Sequence, residues 1–299
     1  MDIQLNFNRE LALEKSFRKY PFFIPLITLL TATFLVLGIY ICILLFNNGQ
    51  YWIILPAAIL VHSFFIVVVH DAAHKSITRT SSDRLLLNIG SGIMLLPFYG
   101  EPFRKYHLIH HVNTNNHYDP LWPPFKKTLY DDKRWFYIIG ELVPLMFTLY
   151  LVLSSKKQHQ SDQKKRREVK VNPMYIVGSA LISISVLLWV KPPVVFILST
   201  LFVLNFLSAL RHWCEHLGSV KNKESNTYWF PLGMGIGNHE THHQYAHLSW
   251  LTLMIGLFYR KKDTNPIKVL RSILFDKSFT HYTETLIEPG FKKSKMETI

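Results

Sequence analysis

Cysteine and charge are both scarce in this chain of 299 residues. There are two cysteines, Cys42 and Cys214, and only 18% of the residues are charged, against about 25% in an ordinary soluble domain. Two thiols exclude a disulfide scaffold, an iron–sulfur cluster and a four-sulfur zinc site. Cys42 moreover sits inside an apolar run, far along the chain from Cys214. Acidic residues are the scarcer sign: 20 Asp+Glu stand against 33 Lys+Arg, a formal net charge of +13. Such an excess suits nucleic acid or an anionic membrane face, and its placement along the chain decides between them. What is abundant is apolar: 49% hydrophobic residues, with 21 Phe, 14 Tyr and 7 Trp. That much apolar surface excludes a disordered chain. There is no internal repeat and no low-complexity segment.

Four long runs lack Lys, Arg, Asp and Glu altogether: residues 22–46, 51–69, 174–190 and 194–210. Each is near the ~17 to 25 residues that cross a bilayer as a helix. The first is too long for a signal peptide's apolar region and has no small-residue cleavage pattern, so it reads as a retained span. Two further stretches are ambiguous. Residues 85–99 are short and carry Gly90, Gly92 and Pro97. Residues 135–153 have Glu141 and Pro144 in their middle. Charge placement favours four spans. Residues 47–50 and 191–193 then face one side, and Lys191 is the only one of the 33 basic residues found there. The basic loop 156–170 joins the rest on the other side, as the positive-inside rule expects. That side, with both termini, is predicted to be cytoplasmic. The two ambiguous stretches are expected to lie in or dip into the cytoplasmic leaflet. The positive charge is therefore topology and attraction to anionic lipid. The KKRR run at 164–167 reads as a solvated loop, and no nucleic-acid partner is expected. The expected fold is an all-α membrane protein with four transmembrane helices and a cytoplasmic helical cap, spanning residues 1–258. Residues 259–299 form a basic cytoplasmic tail.

Histidine is the other abundance. Ten of the 15 fall in four clusters: HDAAH (His70, His74), HLIHH (His107, His110, His111), HWCEH (His212, His216) and HETHH (His239, His242, His243). On a helix, residues at i, i+3 and i+4 share a face, so each cluster gathers its imidazoles on one side. Neutral imidazole ligates iron, zinc, copper and nickel. Ten are too many for one ion but fit two ions with four or five each. HDAAH follows the second run and HWCEH follows the fourth, so all four clusters are able to meet at one membrane surface.

These boxes resemble those of the membrane fatty acid desaturase superfamily, which also contains carotenoid hydroxylases and ketolases. The resemblance rests on HxxxH at 70–74, HxxHH at 107–111 and HxxHH at 239–243, in order and with similar spacing, and runs from the first span to about Leu253. It implies that His70, His74, His107, His110, His111, His216, His239, His242 and His243 bind two Fe ions, with O2 as co-substrate. His212 joins them at a position where some relatives have an Asn acting through water. No other catalytic residue is implied. The resemblance further implies O2-dependent oxidation of a long apolar membrane lipid, with fatty-acyl desaturation first and carotenoid hydroxylation or ketolation as the alternative. No His-Pro-Gly-Gly of a fused haem domain occurs, so an external ferredoxin- or cytochrome b5-like electron donor is implied. The sequence FRKYHLIHHVNTNNHYDP, with Asp119-Pro120, is similar to the family's second box. The third box departs from the pattern, because it runs on as QYAHLSW.

Glu240 makes HETHH also an HExxH motif, in which His239 and His243 would bind one zinc and Glu240 would act as base. That reading leaves the seven histidines of the other three boxes unused. A metal transporter would place its ligands near mid-membrane, whereas these boxes sit at span ends. Of the remaining histidines, His62 lies inside the second span and reads as a hydrogen-bonded core residue. His117 reads as a loop or outer-layer residue, His247 as structural, and His159 and His281 as solvated. Asp71 and Glu215 are expected to orient ligating imidazoles or to cap helix ends. Asn205 lies too deep in the fourth span to be a ligand.

Overall fold

A computed structural model describes residues 2–114, 170–216 and 224–275. The described residues are helical apart from short connections. In chain order the helices are α1 (Asp2–Arg18), α2 (Phe23–Asn47), α3 (Tyr51–Ala73), α4 (Ser82–Ile93), α5 (Gly100–Asn113), α6 (Pro173–Val190), α7 (Val194–His216), α8 (His239–Gln244), α9 (Trp250–Tyr259) and α10 (Pro266–Phe275). Isolated bridges pair Thr227 with Asn238 and Tyr228 with Thr264, and there is no β-strand among the described residues.

Four of these helices, α2, α3, α6 and α7, are long and apolar enough to cross a membrane. Their order is two hairpins. The first turns at Asn48 and Gly49. The second turns where α6 ends on Lys191 in the left-handed conformation. Pro192 and Pro193 come next and cannot continue the helix. The start of α6 is equally local in origin, since the Asn172 side chain accepts the Met174 N–H and Pro173 fills the first helical position. α2 and α6 carry exposed apolar side chains such as Phe34, Leu37, Leu181 and Leu188, which suits lipid contact. Tyr51, Trp52 and Trp189 stand exposed beside the two hairpin turns, as interfacial aromatics do at a bilayer edge.

α3 is the buried centre of the molecule. It packs against α2, α7 and α4, and Ala57, Ala58, Val67 and Val69 are fully covered. Both α3 and α7 continue as helix beyond the apolar runs at 51–69 and 194–210. Backbone hydrogen bonds do not stop where hydrophobicity does, and the extra turns carry His70, His212 and His216. The last stretch of α3 before the first box, Phe65–His70, is wound as a π-helix. This wider winding is frequent at functional sites.

The region at 85–99 forms α4 and a turn, not a fifth span. Gly92 lets α4 press against α6: a Cβ there would collide with the Ile182 side chain and the Ser179 carbonyl. Ser183 donates to the Gly92 carbonyl at 2.9 Å across the same contact. The region at 135–153 lies outside the described residues, as do Asp119, Pro120, His117, His159, His281 and the 164–167 run. α10 sends Val269 and Ile273 into a core with Trp213 and Tyr228. Cys42 and Cys214 are both buried and unbonded to each other.

Candidate metal centre

Each histidine box arrives on a helix end or a short helix. His70 closes the π-helical stretch of α3 and His74 directly follows that helix. His107, His110 and His111 occupy the last two turns of α5, His212 and His216 the last turns of α7, and His239, His242 and His243 the short α8. The ten rings form one connected cluster. His70 lies 4.8 Å from His107 and 4.5 Å from His242, centroid to centroid. His110 lies 4.7 Å from His216 and 5.0 Å from His243. His212 reaches the cluster through His216, at 5.3 Å.

Within the cluster, donor atoms fall into two principal groups. His70, His74, His107 and His242 have ligand atoms all within 4.8 Å of one another, and so do His110, His216 and His243. Two close pairs extend them. His111 Nε2 is 3.1 Å from His242 Nε2, and His239 Nε2 is 3.1 Å from His243 Nε2. Two nitrogens each ~2.1 Å from one ion and at right angles lie ~3.0 Å apart, so both separations suit a shared ion. Helical geometry explains the sorting. His107 and His111 are i,i+4 and face the first group, while His110 is turned toward the second. His239 and His243 are i,i+4 and face the second, while His242 is turned toward the first. The adjacent His-His of each HxxHH box thus divides between the groups, and the His111 and His243 rings stack at 4.2 Å on the boundary. A smaller grouping joins His212, Glu215 and His216.

The donor chemistry fits metal. Nε2 of His70, His74, His107 and His212 is buried without a hydrogen-bond partner among the described residues. An unsatisfied buried polar group costs about 1–3 kcal/mol, and so many in one place are explained by ions that accept the lone pairs. Burial, reinforced by repulsion between neighbouring imidazoles, holds His107, His111, His239 and His242 well below the usual imidazole range. These rings are therefore neutral at pH 7, which is the ligating form.

A polar outer layer sets ring orientation. The Thr114 hydroxyl donates to the His110 carbonyl at 2.8 Å, which leaves its oxygen to accept from His243 Nδ1 at 3.1 Å. That contact turns His243 Nε2 toward the second group. His216 Nδ1 donates to the Glu224 carbonyl at 3.3 Å with the same consequence. Asp71 accepts the Trp250 N–H at 2.6 Å at the start of α9, and its other oxygen lies 3.6 Å from His70 Nδ1. It both caps a helix and faces an imidazole. Glu215 receives Arg211 at 2.9 Å and the Tyr228 hydroxyl at 3.1 Å, and its other oxygen is 3.5 Å from His239 Nε2. On the side of the first group stands an aromatic wall. Phe103 stacks on His107 at 4.8 Å and on Tyr99 at 5.5 Å, and Phe65 meets Phe103 at 5.0 Å.

His62 is in the core as its sequence position suggests, but no hydrogen bond reaches it from the described residues. It is 1% exposed and neither ring nitrogen has a partner among the described residues. Its neighbour is the edge of Phe230 at 5.7 Å, because its helical turn faces apolar side chains. His247 is half-buried beside Tyr245. Sequence reasoning missed Thr114, the Glu224 carbonyl and Tyr228. Only Thr114 had a local signal, three residues beyond the HLIHH box.

A search of curated proteins finds no match to the chain. The family model for fatty acid desaturases matches residues 49–255, more than half of the chain. The match begins just before α3, takes in every histidine box and ends within α9. The chain is a helical integral membrane protein that belongs to the fatty acid desaturase family.

Proposed function

We propose that the protein is a two-iron, O2-dependent oxidase that introduces a double bond into a fatty acyl chain within the membrane. The observation that supports this most is the division of each HxxHH box between two adjacent imidazole groups. One group of ligands is His70, His74, His107, His111 and His242. The other is His110, His216, His239 and His243, with His212 at its edge. A single-zinc protease built on HETHH would use His239 and His243 and leave the first group without purpose.

Two irons held by these residues would supply O2 chemistry: with O2, two external electrons and two protons, two hydrogens would leave neighbouring CH2 groups, giving a double bond and two waters. The protein's own part is arrangement. Thr114 and the Glu224 carbonyl hold the Nδ1 protons of His243 and His216, so that each Nε2 faces inward. Asp71 and Glu215 set carboxylates beside His70 and His239. Phe65, Tyr99 and Phe103 give the first group an apolar flank, which suits a hydrocarbon chain and keeps water away from it. If only the four long apolar runs cross, Lys191 alone of the 33 Lys and Arg lies on the side away from the cluster, which favours the cytoplasm for the cluster. Electrons then come from a cytoplasmic ferredoxin- or cytochrome b5-like donor.

The test is expression in hosts with and without carotenoids, followed by mass spectrometry of total lipids and pigments. Acyl chains lighter by two hydrogens in both hosts support the proposal. Oxygenated carotenoids with unchanged acyl chains would replace it with the hydroxylase or ketolase reading. No oxidised product in either host, from protein that holds its iron, would remove it.

A further inference from the structure

The first helix, α1, lies before the segment shared with the desaturase family, yet it reaches the third histidine box. Glu10 is fully buried. Its Oε1 accepts from Asn238 Nδ2 at 2.7 Å and its Oε2 from the Thr241 hydroxyl at 3.0 Å. Asn238 immediately precedes His239, and Thr241 immediately precedes His242. The single proton of the Thr241 hydroxyl is shared with Asn238 Oδ1, 2.9 Å away. Arg260, at the end of α9, donates to both oxygens of the same carboxylate, at 3.2 and 2.6 Å. Gly256 of α9 admits this convergence, because a Cβ there would collide with the Glu10 carboxyl and the Asn238 amide.

One turn further along α1, Glu14 holds a different segment. Its Oε2 accepts the Ser249 N–H at 3.2 Å, the Ser249 hydroxyl at 2.7 Å and the Thr252 hydroxyl at 2.7 Å. Arg18 in turn donates to the Ser76 and Ile77 carbonyls, just beyond the first box. Three successive positions on one face of α1 therefore grip the third box, the start of α9 and the loop after the first box.

We propose that Glu10 is a positioning residue for the metal centre, holding α8 so that His239 and His243 face one ion while His242 faces the other. α8 is only 6 residues long, too short to keep its own geometry without tertiary support. Glu10 supplies that support from outside through Asn238 and Thr241, and Arg260 fixes the carboxylate itself. The inference rests on the metal-centre reading above.

The experiment uses the full chain purified in detergent and Co2+ as the probe, with affinity measured by chelator competition and the ligand-field absorption spectrum recorded. Three variants are compared: Glu10→Ala, Thr241→Val and Glu14→Ala. Glu10→Ala is expected to weaken Co2+ binding by about tenfold or more, the range found when supports of metal ligands are removed, and to alter the spectrum. Thr241→Val, which keeps its shape and leaves Arg260 paired, is expected to shift both readouts in the same direction. Glu14→Ala loosens the same helix without touching α8 and is expected to lower thermal stability while keeping the wild-type spectrum. If Glu10→Ala does not fold, Thr241→Val decides. Wild-type affinity and spectrum in Thr241→Val, or in folded Glu10→Ala, would overturn the proposal while leaving the metal centre standing. A wild-type protein that takes up no Co2+ would overturn both.

Discussion

Replacing Thr114 by Val tests whether the polar layer around the rings governs metal binding. The substitution keeps the branched shape and removes one hydroxyl. Two buried contacts go with it: donation to the His110 carbonyl at 2.8 Å and acceptance from His243 Nδ1 at 3.1 Å. Losing the partner of a buried polar group costs about 1–3 kcal/mol. The Glu224 carboxylate stands 3.8 Å from the same His243 nitrogen and is the nearest substitute, so the lower half of that range is expected. For metal affinity, removing an outer-layer hydrogen bond costs about 10- to 100-fold. With Glu224 nearby the expected loss is about tenfold, or ~1.4 kcal/mol. Chelator competition on the purified variant measures the affinity, and thermal unfolding of the metal-free form measures the stability term separately. A Thr114→Val protein that binds metal as tightly as the wild type would refute the claim that Thr114 sets the His243 ring.

Other outcomes are expected from the same geometry. His110→Ala and His242→Ala should each abolish oxidation of the lipid while leaving the four-span topology intact, as read by protease or cysteine-labelling maps; full activity in either contradicts the ligand assignment. Burial raises the Glu14 carboxyl, but Arg18 and the hydrogen bonds from Ser249 and Thr252 outweigh it and hold the group below the usual carboxylate range. Its ionised form is thus favoured by folding, so its contribution is present above about pH 4.5 and is lost as pH falls through the lowered value. The difference in thermal midpoint between wild type and Glu14→Gln should therefore shrink in acid below about pH 4.5; a difference that grows there would contradict the sign. Gly92→Val forces a side chain into Ile182 and the Ser179 carbonyl. It should cost about 1–3 kcal/mol in a detergent thermal melt, with the metal content of the surviving protein unchanged.

The spans and the boxes were legible because their signals are local. An uncharged run of about 20 residues implies a span from its own composition, and His-x-x-His-His places three imidazoles on one helix side from its own period. The division of each box between two imidazole groups was not read from that period; it emerges only where α5 and α8 meet the other boxes. What stayed hidden depends on contacts between distant segments. Glu10 and Asn238 are separated by 228 positions, and nothing near Glu10 marks it as buried. The π-helical turn before His70 leaves no compositional trace in FIVVVH. His62 looked like a hydrogen-bonded polar residue, yet its position on α3 gives it Phe230 as a neighbour and no partner for its nitrogens among the described residues. The helices of the second and fourth apolar runs continue to Ala73 and His216, because hydropathy marks where lipid contact ends and not where the helix does.

The most direct measurement is elemental analysis of anaerobically purified protein, wild type beside His107→Ala and His216→Ala. The account predicts two irons per chain in the wild type, with each substitution, one from either imidazole group, losing iron. One zinc per chain, or two irons retained in both variants, would contradict it.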